Sequence, residues 1–108
     1  MVAVVRFDVF LVDLDPTRGA EIRKARPCVV VSPDEANAAI RTVVVAPMTT
    51  GAHPYPTRIP VHFEGVSGHV VVDQLRTVDK ARLLKRLGAL KPAEQDEVLQ
   101  ALQAFFAR

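Results

Sequence analysis

Apolar residues run almost unbroken over residues 7–14 and 27–32, alternate with polar ones over 57–63, and return at helical spacing over 93–107. The first pattern predicts a strand rich in Val, Phe and Leu. The second predicts a strand buried inside a small barrel, opened by Pro27 where no ladder donor is needed. Ser32-Pro33-Asp34-Glu35 has the form of a capping box with Pro at the first helical position, so a short helical turn is expected over residues 36–40. Strand character resumes over 41–47. Residues 48–56 read as turn, with Thr49, Thr50, Gly51, His53 and two prolines. Residues 57–63 read as a half-buried strand, Glu64 to Gly68 as a hairpin turn, and residues 69–72 and 81–90 as further strands. In the last segment Glu94, Asp96 and Glu97 favour a helix N-terminus, and Val98, Leu99, Leu102, Phe105 and Phe106 form one stripe expected to pack on the sheet.

Short strands with tight turns and one terminal amphipathic helix imply a mainly β (α+β) chain: a small, strongly bent antiparallel sheet or barrel closed by that helix. At 108 residues this is a single domain, 1–108. A hydrophobic content of 49% with 24% charged residues argues against disorder. The lone Cys28 excludes an internal disulfide, suits a reducing compartment and a cytoplasmic protein, and reads as a small buried hydrophobe. The apolar start is cut off by Arg6 and Asp8, too short for a signal-peptide core or a membrane span. Scattered His residues and the absence of a carboxylate cluster argue against a metal site, and no cofactor is expected.

Charge changes the picture by its placement. The formal net charge is only +2, but Arg18, Arg23, Lys24 and Arg26 crowd one loop with only Glu21 opposing. A second group comprises Arg76, Lys80, Arg82, Lys85, Arg86 and Lys91, with only Asp79 opposing. A loop of that density is either a solvated connector or an anion-binding site.

Four blocks in order carry a resemblance: Asp13-Leu14-Asp15-Pro16, Gly19-x-Glu21-x-x-Lys24-x-Arg26-Pro27 before a Val-rich strand, Pro47-Met48-Thr49-Thr50, and Asp73-Gln74-Leu75-Arg76-Thr77-Val78-Asp79. Over nearly its whole length the chain resembles the MazF/PemK family of toxin endoribonucleases, also called mRNA interferases. The resemblance implies an SH3-like barrel, a homodimer and an antitoxin partner. It also implies metal-independent cleavage of single-stranded RNA to a 2′,3′-cyclic phosphate and a 5′-hydroxyl. Carried over position by position, it makes Arg26 and Thr49 the catalytic pair and Glu21 a supporting residue. One departure is visible: Phe7 stands before Asp8 where the family usually has Gly.

The residue types suit that chemistry. Attack by a ribose 2′-OH builds negative charge on a pentacoordinate phosphorane, to which a guanidinium donates two parallel hydrogen bonds. Pro27 biases Arg26 toward extended backbone, and the Thr49 hydroxyl supplies another donor. Because guanidinium groups stay protonated at neutral pH, Arg26 fits a stabiliser or acid better than a base; Glu21 and His53 are the alternative bases. Arg18, Arg23, Lys24 and Thr50 are RNA-contact candidates, Tyr55 can stack on a base, and Arg76 either lines the groove or braces the neighbouring strand. Glu21 can equally pair with Lys24 or Arg26 to hold the loop. His62 and His69 read as structural. Two rival functions stay open: a CcdB-like poison binding DNA gyrase through its C-terminal helix, and an RNA-binding module without cleavage.

Overall fold

A computed structural model describes residues 3–51 and 55–108. Its strands are β1 (Asp8–Asp13), β2 (Ala25–Val30), β3 (Thr42–Thr49), β4 (Arg58–Phe63), β5 (Val66–Val71), β6 (Arg76–Asp79) and β7 (Leu83–Ala89); its helices are α1 (Asp34–Ala39) and α2 (Pro92–Phe106). All strand pairs are antiparallel, in the order β4-β5-β3-β2-β1-β7 with β6 also against β3. The result is the expected mainly-β, strongly curled sheet with a C-terminal helix. No helix among the described residues is long and apolar enough to cross a membrane.

The curl depends on β3, which changes partner along one edge. Thr42 to Val45 pair with β6, whereas Met48 and Thr49 pair with Val70 and His69 of β5. Between them lies Pro47, where that edge has no ladder partner in the register and a missing N–H costs nothing. The strand therefore runs on through Met48 and Thr49, two residues that composition assigns to a turn.

Curling buries both faces of β1 to β3. Val9, Val29, Ala46 and Met48 join Val61, Val70 and Val98 in one apolar cluster, while Phe10, Val12, Cys28, Val30, Val43 and Val45 join Leu14 and Val78 in another. This is why residues 7–14 and 27–32 are apolar at consecutive rather than alternate positions. Burial pushes the Cys28 thiol up to about 12, and the nearby Arg76 charge opposes the shift.

Four local expectations are corrected. The residue preceding α1 is Pro33, with no side-chain cap. The Ser32 hydroxyl is taken elsewhere, donating to Asn37 Oδ1 (2.6 Å) and accepting from Val44 N (3.0 Å); buried Asn37 needs that partner more than a solvated helix end does. The β4–β5 turn is only Glu64-Gly65, both at positive φ (51° and 77°), the geometry of a two-residue hairpin, so β5 begins at Val66. Residues 76–79 form a strand that composition does not mark, followed by a turn capped by Asp79.

The fourth correction concerns α2. Val98 is fully buried and Leu99, Ala101 and Leu102 pack beside it, but Phe105 and Phe106 are 44% and 69% exposed and touch mainly each other, edge to face at 5.1 Å. Neither ring belongs to the cluster that Val98 anchors, so the stripe packs on the core only as far as Leu102. At its other end Glu94 accepts from Lys91 N (3.2 Å) and His62 N (2.9 Å), capping the helix and tying it to β4.

Candidate functional site

The basic loop between β1 and β2 is fastened at many points. Leu14 N donates to Lys24 O (3.1 Å) across its base, and Asp15 Oδ1 accepts from Lys24 N (3.0 Å). Gln74, in the turn after β5, accepts from Ile22 N (2.8 Å) and donates to Ala20 O (3.4 Å). Arg76 donates to Leu14 O (2.9 Å), and Arg82 to the carbonyls of Asp13 (3.0 Å) and Asp15. Lys80 binds Asn37 O, and Arg86 pairs with buried Asp8 at 3.1 Å. Much of the second cation group thus braces the fold, and Arg76 both braces the loop base and lines a cleft beside it.

The loop's own cations are disposed differently. Arg18, Arg23, Lys24 and Arg26 are exposed, and no acidic side chain forms an ion pair with them among the described residues. Arg23 donates to Gly19 O (3.2 Å), and Arg26 Nε to Arg23 O (3.3 Å). Glu21 pairs with neither Lys24 nor Arg26; its carboxylate accepts from Arg18 N. Neutral carbonyls and amides hold part of the loop, and the carboxylates of Asp15 and Glu21 accept from backbone N–H groups, so the four exposed cations have no ion-pair partner among the described residues.

Arg26 stands in β2 directly before Pro27, and Thr49 is the last residue of β3. The curl brings both into one cleft of about 210 Å³, lined also by Pro27, Met48, Thr50, Val61, Phe63, Glu64, Val66, Gly68 and Leu87. Thr49 Oγ1 accepts from Gly51 N (3.3 Å), so its proton points away from that amide and can be donated. Gly68 is what lets β5 lie so close: a Cβ there would sit 2.6 Å from Thr49 O and 3.6 Å from Thr50 Cα. An isolated glycine inside a strand is a sign of such an approach; here composition assigns it to a turn. The apolar walls from β4, β5 and β7 have no local signal, because any half-buried strand carries such residues.

The other candidates lie around this cleft. Glu21 and Arg76 line a neighbouring one with Leu14, Ala20, Ile22, Pro47 and Gln74. Thr50 and Gly68 continue into a third, where His62 meets Ser67 Oγ (3.2 Å) and His69 buries its Nδ1 with no protein partner. Tyr55 is exposed, with the Arg58 guanidinium 5.2 Å over its ring. Arg58 in turn grips Asp73 through two bonds of 3.2 Å, which with a bond from Thr57 (2.9 Å) hold the Asp73 carboxyl below its ordinary range. His53 lies outside the described residues. Among those described, no three His, Cys, Asp or Glu side chains are grouped to hold a metal ion.

The chain matches the family model described as PemK-like, MazF-like toxin of type II toxin–antitoxin system over residues 5–106. It is 35% identical over 105 residues to an endoribonuclease MazF of Staphylococcus epidermidis, covering 90% of this chain and 86% of that one. Among solved structures it resembles MazF from Deinococcus radiodurans, with a TM-score of 0.85, 25% identity and 97% of each chain covered. It also resembles an endoribonuclease from a Mycobacterial species in complex with its cognate antitoxin, with a TM-score of 0.81 and 27% identity, covering 94% of this chain and 93% of that one.

Proposed function

Because the chain belongs to the PemK-like, MazF-like toxin family, we propose that it is an endoribonuclease that cuts single-stranded mRNA at selected sequences without a metal ion and so arrests translation. The observation that carries this reading is the cleft that Arg26 and Thr49 share, with Arg26 at the end of a loop whose exposed cations have no ion-pair partner among the described residues.

The chemistry follows from those groups. The RNA backbone lies along Arg18, Arg23 and Lys24, which replace its counterions. The ribose 2′-oxygen attacks the adjacent phosphorus while the bond from phosphorus to the 5′-oxygen breaks. The 2′-proton passes to a base and the departing oxygen takes up a proton, leaving a 2′,3′-cyclic phosphate and a 5′-hydroxyl. The Arg26 guanidinium and the Thr49 hydroxyl donate to the phosphorane oxygens where negative charge develops. Glu21, bound to Arg18 N, shapes the loop that carries these cations.

Regulation follows from the same charge. An antitoxin segment rich in carboxylates and apolar residues occupies the cationic groove in place of the phosphate run, as fits the relative solved with its cognate antitoxin. The functional unit is a homodimer.

The test is to incubate purified protein with single-stranded RNA and excess chelator, and to map the new ends. Cyclic phosphates and 5′-hydroxyls at a recurring motif are expected, and Arg26→Ala or Thr49→Ala lowers the rate by roughly 10²–10³. Intact RNA, or growth arrest that survives Arg26→Ala, overturns the reading in favour of a non-catalytic poison.

A further inference from the structure

The cleft holds more than the two groups that face a phosphate. Besides Arg26 and Thr49 its lining is mostly apolar, with Pro27, Met48, Val61, Phe63, Val66 and Leu87. A phosphodiester has no use for such walls, since burying its charge among aliphatic carbons is costly. An unpaired base, with a flat apolar face and a polar edge, matches them.

Phe63 is the side chain best shaped for the task, and its seat is specific. It ends β4 at the Glu64-Gly65 turn, and its ring reaches across to Gly88 of β7. A Cβ on Gly88 would meet the ring at 3.1 and 3.3 Å. An alanine at this position would therefore crowd the ring, which would have to give by a few tenths of an ångström. Gly88 also holds a φ of 156° beside the irregular pairing of β7 with β1, so an alanine there meets backbone strain as well as the ring.

Resting on the nuclease reading, we infer that the recess formed by Phe63, Val61, Val66 and Leu87 is a subsite for the unpaired base flanking the scissile phosphate, with Phe63 as the stacking surface and Gly88 setting its depth. The backbone contacts are sequence-neutral, so this recess confers the cutting preference at one flanking position, with Thr50 and Glu64 at its rim facing the base edge. Phe63 and Gly88 act on substrate binding rather than on the phosphorane.

The experiment uses the full-length protein on a randomised single-stranded RNA pool, with cut sites mapped for wild type, Phe63→Leu, Phe63→Tyr and Gly88→Ala, and with kcat and KM on one preferred oligonucleotide. Phe63→Leu is expected to raise KM about tenfold or more, the loss of one aromatic–base stack, and to flatten base preference at one position next to the cut. Phe63→Tyr, which keeps a flat ring but adds a hydroxyl at the ring tip facing Gly88, retains the base preference more fully than Phe63→Leu. Gly88→Ala pushes the ring into the recess, raising KM and shifting the motif at that same position. The inference is overturned if wild type cuts selectively and Phe63→Leu keeps its motif and KM, or if Phe63→Leu lowers kcat alone. A wild type that cuts no RNA overturns the nuclease reading itself, and the subsite with it.

Discussion

Gly68→Ala is the substitution whose effect can be worked most directly from the geometry. An added methyl would stand 2.6 Å from the Thr49 carbonyl oxygen, with the carbonyl carbon at 3.3 Å. These are backbone atoms of a paired strand, so no side chain can swing aside. Reaching ordinary van der Waals contact demands a relative shift of about 0.8 Å between β3 and β5, at the cost of roughly 1–3 kcal/mol typical of overpacking. Thr49 must carry much of that shift, because it is the last residue of β3 and only Met48 and Thr49 pair with β5. A displacement of about 1 Å at a catalytic group can cost 10²-fold in rate.

The expected result for Gly68→Ala is thus a fall in kcat of about 10- to 100-fold, with KM changed much less. The matched control is Gly65→Ala, at the hairpin tip. That glycine has φ of 77° but nothing within 4 Å of an added Cβ, so the variant costs about 1–2 kcal/mol of backbone strain without touching Thr49. Kinetics on a single oligonucleotide, well below both melting temperatures, separate the two effects. If folded Gly68→Ala keeps kcat within twofold of wild type, or if Gly65→Ala loses as much, the coupling of Gly68 to Thr49 is refuted.

Other consequences follow from the same structure. Phe7 is buried yet held at φ of 73°. Phe7→Gly should lose about 3–5 kcal/mol of ring burial and regain about 1–2 kcal/mol of strain, so by denaturant melts Phe7→Ala should be the less stable of the two variants. The Asp73 carboxyl is held below its ordinary 3.8, chiefly by its bond from Arg58. A depressed carboxylate contributes stability above its unfolded pKa and loses it as pH falls through the folded one. An acid titration of Asp73→Asn should therefore begin to approach wild type only as pH falls below about 4 and converge below the depressed folded value, the difference at neutral pH staying under about 1 kcal/mol because the pair is partly exposed. The Cys28 thiol, pushed up to about 12, should resist alkylation at pH 8 in the folded protein and react on unfolding; rapid labelling of native protein would contradict its burial.

How much was legible in the chain depends on the range of the information. The long apolar runs, the terminal helix and the crowding of cations on one loop are properties of neighbouring residues, and each reappears in the structure close to its expected bounds. Strand β6 and the end of β3 were not legible. Arg76–Asp79 becomes a strand because β3 offers it an edge, and Met48-Thr49 stays extended because β5 lies alongside. The stripe on α2 packs on the core through Leu102 but not at Phe105 and Phe106, since periodicity tells which face of a helix is apolar but not how much of that face finds a partner.

The candidate site divides along the same line. Residue order alone supplied an Arg preceding a Pro, a Thr ending a strand and the ordered blocks that carry the family resemblance, because those are covalent facts. Only the tertiary structure decided which cations are spent on bracing carbonyls, that Arg26 and Thr49 line one cleft while Glu21 lines the next, and that Gly68 brings β5 against the Thr49 carbonyl. Those relations are set by register and curl, in which atoms tens of residues apart compete for the same space.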